Sequence, residues 1–167
     1  MLSARPIEDV AAGIYSHRLG DLWLAGGASN TGGAVLRHYF ADEELAALSE
    51  QIAPHQPSGL DYYPLLTPGE RFPVNDPQYP PRLTPRPDDD LPFLQGLLEG
   101  IARIETQGYR RLMALGSGPV RQVYTAGGGA ANQTWTVLRQ QLLGVPATAS
   151  NYTEAAYGAA LLAMMTE

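Results

Sequence analysis

A glycine-rich turn carries the clearest chemical signal in the sequence. Residues 126–132 read Ala-Gly-Gly-Gly-Ala-Ala-Asn and lie between a β-rich run and a helical pattern. Glycines in such a turn let a ligand approach the backbone, and the free N–H groups where the helix begins favour an anion or a polar ring edge. The Asn132 amide can both donate and accept hydrogen bonds. Nucleotide or phosphate binding and a tight turn without a ligand both remain open on these residues alone.

Two common phosphate-binding motifs are excluded. Gly127 and Gly129 could supply the first two glycines of the dinucleotide fingerprint, but Asn132 occupies the third position, where glycine or alanine is needed for packing. A Walker motif needs a lysine, and all 11 basic residues are arginine.

The chain also has no cysteine, which excludes a disulfide scaffold, a thiolate metal site and a cysteine nucleophile.

A second glycine cluster occupies residues 26–33 and reads Gly-Gly-Ala-Ser-Asn-Thr-Gly-Gly. It also stands between a predicted strand and a predicted helix. Two such turns in one α/β domain often meet at the edge of a sheet where ligands bind. Two unrelated tight turns are the alternative interpretation.

Other polar residues do not form a recognisable catalytic or metal-binding pattern. His17, His38 and His55 lack the spacing of metal ligands, and Ser29 is not in a G-x-S-x-G elbow. Residues 88–90 are three consecutive aspartates just before a long helical pattern, where capping and the helix dipole explain them better than a metal. We therefore assign no catalytic and no metal-ligating residue.

The order of predicted elements is that of an α/β domain. Residues 14–26 predict a hairpin that turns at Gly20-Asp21, and helices are predicted after Gly33 and after Asp42 as an N-cap. A long helix follows residues 88–90. Further along the chain we expect a strand at 120–126, a helix that ends at Gly144, a strand at 145–149 and a last helix capped by Thr153.

Prolines are concentrated in one segment. Eleven of the 14 prolines lie within residues 54–92, which excludes one long helix or a central strand there. We expect an extended loop with a short strand at 62–66. A flexible linker is the alternative, but Tyr62, Tyr63, Leu65 and neighbouring apolar residues favour a packed loop.

Length and charge limit the classes of protein that fit. The chain has 167 residues, of which 44% are hydrophobic, and a formal net charge of -6. That size suits one domain with a real core, and no apolar run approaches the length of a membrane span. The arginines are scattered along an acidic chain and do not form the basic cluster that is typical of nucleic-acid binding. We expect a cytoplasmic protein without a secretory leader and with neither a membrane nor a nucleic-acid partner.

Four motifs together resemble one protein family. GGASNTGGAVL, LLEGIARIE, TAGGGAANQTWTVLRQQLLGVP and EAAYGAALLA occur in the order and at the spacings of the C-terminal half of FGGY-family carbohydrate kinases. The resemblance covers almost the whole chain. The run GERFPVNDPQYPPRLTPRP is most similar to the ribulose and xylulose kinase branch, notably the D-ribulose kinases.

The resemblance implies a ribonuclease H-like, actin-like ATPase domain over residues 1–167 that binds ATP or ADP with Mg²⁺. In this family the nucleotide sits mainly on the C-terminal domain and the sugar mainly on the N-terminal one. Glu154 and the small residues after it match the helix behind the adenine pocket, and Arg37 stands where relatives often have glutamine. The positions that match the family's nucleotide site are Gly127, Gly128, Gly129, Ala130, Asn132, Gly33 and Arg37.

The same resemblance places the family's catalytic aspartate and Gly-Thr phosphate loop upstream of the position matched by Met1. It implies that this chain lacks the first strands of its domain, which would leave a sheet edge exposed or paired with another chain. One hypothesis is that the complete protein phosphorylates a hydroxyl of a ketopentose, D-ribulose or D-xylulose, with its sugar site upstream, and that this chain alone is inactive. The other is a non-catalytic kinase remnant that acts as an interaction module in a homo-oligomer.

Overall fold

The computed structural model describes residues 1–152 and 154–164, in which strands and helices are mixed as the sequence predicts. The strands are β1 (Leu2–Ser3), β2 (Tyr15–Leu19), β3 (Leu22–Gly26), β4 (Val123–Thr125) and β5 (Ala147–Ala149). The helices are α1 (Gly33–Tyr39), α2 (Asp42–Gln51), α3 (Asp90–Ala114), α4 (Gln133–Leu143) and α5 (Ala155–Met164). No helix within the described ranges is long and apolar enough to cross a membrane.

The strands form two small sheets. β1, β3 and β2 lie side by side in that order and are antiparallel. The predicted hairpin is confirmed, because Leu19 pairs with Leu22 across a turn in which Gly20 has a φ of 58°. β4 and β5 pair in parallel, and α4 connects them, as a parallel pair requires.

The 25-residue helix α3 is the platform on which the other elements pack. Its N-cap is Asp89, whose side chain accepts a hydrogen bond from the Leu91 N–H at 3.0 Å. Capping by one of the three aspartates, Asp89, is thereby confirmed. The ring of Phe93 is fully buried and contacts the rings of Tyr39 and Tyr62 at centroid distances of 5.1 and 5.8 Å. The main core cluster comprises Phe40, Ile52, Tyr62, Phe93, Leu94, Leu97, Leu98 and Leu138.

The proline-rich segment is a packed loop, as predicted, and it lies along glycines of α3. A Cβ atom on Gly100 would lie 2.8 Å from the carbonyl oxygen of Tyr62, and one on Gly108 would lie 2.5 Å from the ring of Phe72. Tyr62 and Leu65 are almost completely buried. Glycine therefore allows the loop backbone to approach the helix closely.

The predicted strand at 62–66 is wrong. This part of the loop makes only an isolated bridge, in which the backbone N–H groups of Tyr63 and Arg82 each donate to the other residue's carbonyl oxygen at 2.8 and 3.0 Å. Tyr62 is buried in the main core cluster and Leu65 packs with Ile104 of α3, so tertiary packing rather than strand pairing holds this part of the loop. The bridge therefore stays a single pair.

Several predicted boundaries need correction. Ala41, not Asp42, is the N-cap of α2, and Asp42 is the first helical residue. β4 and β5 are three residues each, shorter than the predicted strands at 120–126 and 145–149. The C-cap Gly144 has a φ of 69° and confirms the predicted end of α4. Thr153, the predicted cap of the last helix, lies outside the described residues.

We predict that Gly100→Ala lowers the free energy of unfolding by about 1–3 kcal/mol, because the new methyl group overlaps the Tyr62 carbonyl oxygen. Gly158→Ala in α5 is the matched control, since a Cβ there meets no described atom within 4 Å and alanine favours a helix. Urea unfolding of both variants measures the difference. Equal stability of the two variants would contradict the close packing of the loop against α3.

Candidate functional site

The two glycine turns meet at one cleft. Its volume is about 590 Å³, and it lies between α2 on one side and the turn before α4 on the other, with α1 at one end. Leu98 and Ile101 of α3 contribute to the lining. Of the residues predicted to bind a nucleotide, those that line the cleft are Gly33, Arg37, Gly128, Gly129 and Asn132.

The glycines of residues 127–129 have three different roles. Gly127 has a φ of 80°, a conformation that other residues rarely adopt, and precedes a 3-10 turn at Gly128–Ala131. A Cβ atom on Gly129 would lie 2.5 Å from the ring of Trp135, so glycine is needed there for packing. Gly127 and Ala130 are outside the set of residues that line the cleft, and Ala130 is buried.

Of the three glycines at residues 127–129, Gly128 is the one that lines the cleft and faces open space. Among the described residues, a Cβ atom there would have only the guanidinium of Arg37 within 4 Å, at 3.6 Å from Nη2. Neither its backbone angle nor packing within the protein requires glycine at this position. A bare backbone here leaves room for a ligand.

Asn132 joins the two walls of the cleft. Its Oδ1 accepts a hydrogen bond from the Trp135 N–H at 2.9 Å and caps α4. Its Nδ2 donates to Oγ of Ser49 in α2 at 2.8 Å. The amide therefore holds the glycine turn against α2, and one of its two N–H groups remains for other partners.

Arg37 supplies the positive charge of the cleft. Its Nε donates to Oδ1 of Asp42 at 2.9 Å, and both side chains are mostly exposed. The guanidinium also lies close to Gly33 and Gly128, where Cβ atoms would be 3.9 and 3.6 Å from its nitrogens. This end of the cleft is therefore its cationic end.

A buried arginine behind the glycine turn was not found from the sequence. Arg139 of α4 makes a bidentate ion pair with Glu105 of α3, with Nε–Oε2 and Nη2–Oε1 distances of 2.7 and 2.6 Å. Its Nη1 donates to Oγ1 of Thr125 at the end of β4, and its guanidinium lies 4.6 Å from the ring centre of Trp135. The available signal was its position four residues after Trp135, on the buried side of α4.

A second missed residue, Glu70, fixes the other glycine turn. Its buried carboxylate accepts hydrogen bonds from Oγ of Ser29 and from the Asn30 N–H, both at 2.7 Å. The Tyr63 hydroxyl also donates to it, at 3.0 Å. Burial, and then the negative charge of Glu70, raise the pKa of Tyr63 far above its ordinary value, so the hydroxyl stays a donor.

The remaining candidates stay apart from the cleft. His17 lies in β2, His38 in α1 and His55 at the start of the proline-rich loop, and none of the three lines the cleft. Within residues 1–152 and 154–164, no three His, Asp or Glu side chains are close enough to hold a metal ion. Ser29 donates its hydroxyl hydrogen to Glu70 and so has a structural partner.

The architecture around this cleft is the actin-like ATPase fold of sugar kinases. A xylulose kinase from Brucella ovis superposes with a TM-score of 0.81 at 21% identity, over 98% of this chain and 36% of that one. The xylulose kinase from Bifidobacterium adolescentis gives 0.76 at 22% identity, over 99% and 35%. A gluconate kinase from Lactobacillus acidophilus gives 0.77 at 19% identity, over 98% and 35%.

The chain belongs to the FGGY family of carbohydrate kinases. The model of that family's C-terminal domain matches residues 2–167. This confirms the family that the four sequence motifs indicate. The chain spans about a third of the length of the solved kinases that it resembles, 36% and 35% for the two xylulose kinases.

We predict that Arg139→Met lowers the free energy of unfolding by about 3 kcal/mol, because it leaves Glu105 partly buried without its partner. Adding Glu105→Gln removes the unpaired charge and recovers part of the loss. The control is Arg82→Met, which breaks an exposed ion pair with Asp61 and costs less than about 1 kcal/mol. Urea unfolding of the three variants and the wild type checks the ranking, and a loss for Arg139→Met no greater than the control would contradict it.

Proposed function

We propose that this chain is the nucleotide-binding C-terminal domain, residues 1–167 with their proline-rich loop, of an ATP-dependent carbohydrate kinase. One observation carries the proposal: in a member of this family, both glycine turns and Arg37 meet at a single cleft of about 590 Å³. That volume lies within the range of small-molecule and cofactor sites.

The walls of the cleft suit a nucleoside. Apolar side chains contribute from three helices, namely Leu36 of α1, Leu45 of α2 and Leu98 of α3, and Trp135 lies at the start of α4. Gly128, beside Arg37, lets a nucleotide come close to the backbone. A mostly apolar cleft with a few polar groups is the usual setting for a base and its ribose.

We place the phosphates of the nucleotide at the cationic end of the cleft, beside Arg37. A guanidinium matches phosphate oxygens in geometry and charge. Asp42 already occupies the Nε atom of Arg37, but this pair is exposed and therefore weak, so a phosphate can replace the carboxylate. In the complete enzyme Mg²⁺ accompanies the β- and γ-phosphates.

The reaction we propose for the complete enzyme is transfer of the γ-phosphoryl group from ATP to a hydroxyl of D-ribulose or D-xylulose. The hydroxyl oxygen forms the new bond to phosphorus, its proton passes to a base, and ADP leaves. We assign the base and the sugar site to the part of the enzyme outside this chain, so the chain alone is inactive. Similarity to two xylulose kinases supports a ketopentose, while the gluconate kinase shows that the fold also serves another sugar. Because ATP is its substrate, we place the enzyme in the cytoplasm.

A second candidate function is a non-catalytic interaction module that oligomerises. The observation that favours it is the exposure of apolar side chains, among them Leu24 of β3 and Leu161, Leu162 and Met164 of α5. Exposed apolar surface of this kind is characteristic of protein contacts. A module of this class would form a stable oligomer and bind no adenine nucleotide.

We predict that Gly128→Arg sharply weakens ADP binding, because the long side chain fills the cleft where a Cβ atom now meets open space. Ala114→Arg is the control: it adds the same side chain and charge at an exposed position at the end of α3, outside the cleft lining, and leaves ADP affinity unchanged. Isothermal calorimetry measures both. Unchanged affinity in Gly128→Arg would remove the proposed site, and light scattering of an oligomer that binds no ADP would favour the interaction module.

We also predict opposite effects from the two members of the exposed ion pair at the cleft. Arg37→Ala weakens ADP binding about tenfold but changes adenosine binding little, because only ADP has phosphates for the guanidinium. Asp42→Ala strengthens ADP binding, since it removes the competing carboxylate. Calorimetric titrations with ADP and adenosine test both changes. Equal weakening of ADP and adenosine by Arg37→Ala would place the phosphates elsewhere.

A further inference from the structure

The glycine turn at residues 26–33 leads directly into the cationic end of the cleft. Gly33 is the first residue of α1, and Gly33 and Arg37 both line the cleft. The N-cap of α1 is Gly32, which has no side chain to accept a hydrogen bond from the start of the helix. The buried side chain of Val35 holds α1 on its core side. The start of the helix is therefore located by the residues before Gly32.

Glu70 accepts hydrogen bonds from this turn on a buried carboxylate. Ser29 Oγ and the Asn30 N–H each donate to it at 2.7 Å. The Tyr63 hydroxyl and the Arg71 N–H also donate to it, at 3.0 and 2.8 Å. In the described part of the chain no cation forms an ion pair with it. A carboxylate satisfies four donors at once, whereas a glutamine would bring an NH₂ group that faces other donors.

Further hydrogen bonds tie the same part of the turn to the proline-rich loop. Asn30 Nδ2 donates to the carbonyl oxygen of Gly69 at 3.0 Å, and its Oδ1 accepts from Nε of Arg71 at 2.7 Å. Thr31 Oγ1 donates to the carbonyl oxygen of Pro64 at 2.7 Å. The position of this part of the turn therefore depends on the loop, and Glu70 is its charged contact with the loop.

We propose that Glu70 is a positioning residue for nucleotide binding, which acts on the phosphates through Arg37. This inference rests on the proposed function. Glu70 fixes the turn, the turn fixes the start of α1, and Arg37 lies one helical turn after that start. The guanidinium is mostly exposed and makes only an exposed ion pair, with Asp42. Its placement therefore depends on the backbone of α1 more than on side-chain packing.

The effect of Glu70 is expected at one end of the ligand. Its hydrogen bonds do not reach α2, α3 or α4, which supply most of the apolar wall proposed for the nucleoside. Within that wall only Leu36 belongs to α1. The glycine turn before α4 is held separately, through Arg139 and Thr125. Loss of the Glu70 carboxylate should therefore weaken ADP binding much more than adenosine binding.

Glu70→Gln tests the proposal by calorimetry of the full chain with ADP and with adenosine. The substitution is expected to weaken ADP binding about five- to tenfold and adenosine binding less than about twofold. In the Arg37→Ala background it should change ADP affinity little, because the group through which Glu70 acts is already absent. Urea unfolding shows whether each variant is folded under the conditions of the titration.

Glu99→Gln is the matched control. Glu99 is also a buried carboxylate, and it accepts from the Ser58 N–H and Oγ at 2.9 and 2.6 Å, so it ties the same loop to α3. It lies outside the cleft lining, and its substitution should lower stability while ADP affinity stays unchanged. Ser29→Ala is a milder variant that removes one of the four donors and keeps the Glu70 carboxylate. It should weaken ADP binding about two- to threefold, and it decides the question if Glu70→Gln does not fold.

The outcomes separate this inference from the proposed function. If Glu70→Gln weakens ADP and adenosine equally, or if its effect adds in full to that of Arg37→Ala, Glu70 has only a structural role and the inference is wrong, while nucleotide binding stands. An unchanged ADP affinity in Ser29→Ala, or an equal loss in Glu99→Gln, would also overturn it. If the wild-type chain binds neither ADP nor adenosine, the proposed site itself is wrong and this inference fails with it.

Discussion

A buried guanidinium must be paired, and this requirement at Arg139 fixes the geometry behind the candidate site. Its hydrogen bonds reach Glu105 on α3 and Thr125 at the end of β4, and Trp135 packs against its plane. A buried charge without these partners would be strongly destabilising. The glycine turn begins just after Thr125 and ends where α4 begins, so both of its ends are held by the same side chain. The turn can then be rich in glycine and still keep a defined shape.

The helix α3 that carries Glu105 also positions the other half of the cleft. Its glycines accept the proline-rich loop at close range, and that loop carries Glu70. Glu70 binds Ser29 and Asn30, which belong to the first glycine turn. The two glycine-rich segments are thus held in place relative to α3 by the buried carboxylate of Glu70 and the partly buried carboxylate of Glu105. Carboxylates suit this role because each can accept several hydrogen bonds from backbone and side-chain donors at once.

Local features of this fold could be predicted from the sequence, whereas long-range polar contacts could not. The turn at Gly20, the cap at Asp89 and the helix end at Gly144 follow from short-range chemistry and are observed. The Arg139–Glu105 pair joins residues 34 positions apart, and no local pattern specifies such a partner. The strand expected at 62–66 failed because tertiary packing against α3, not strand pairing, buries its side chains. The two glycine-rich motifs indicated where the cleft lies. They did not indicate that Asn132 caps α4.

The two ion pairs near the cleft differ in solvent exposure. The less exposed pair holds helices together, whereas the more exposed pair can exchange its partner for a ligand. Arg139 is buried and Glu105 is partly buried, and their bidentate hydrogen bonds help to fix α4 against α3. Arg37 and Asp42 are solvated, and such pairs contribute little to stability. A ligand phosphate can therefore take over Arg37 without disturbing the packing beneath it.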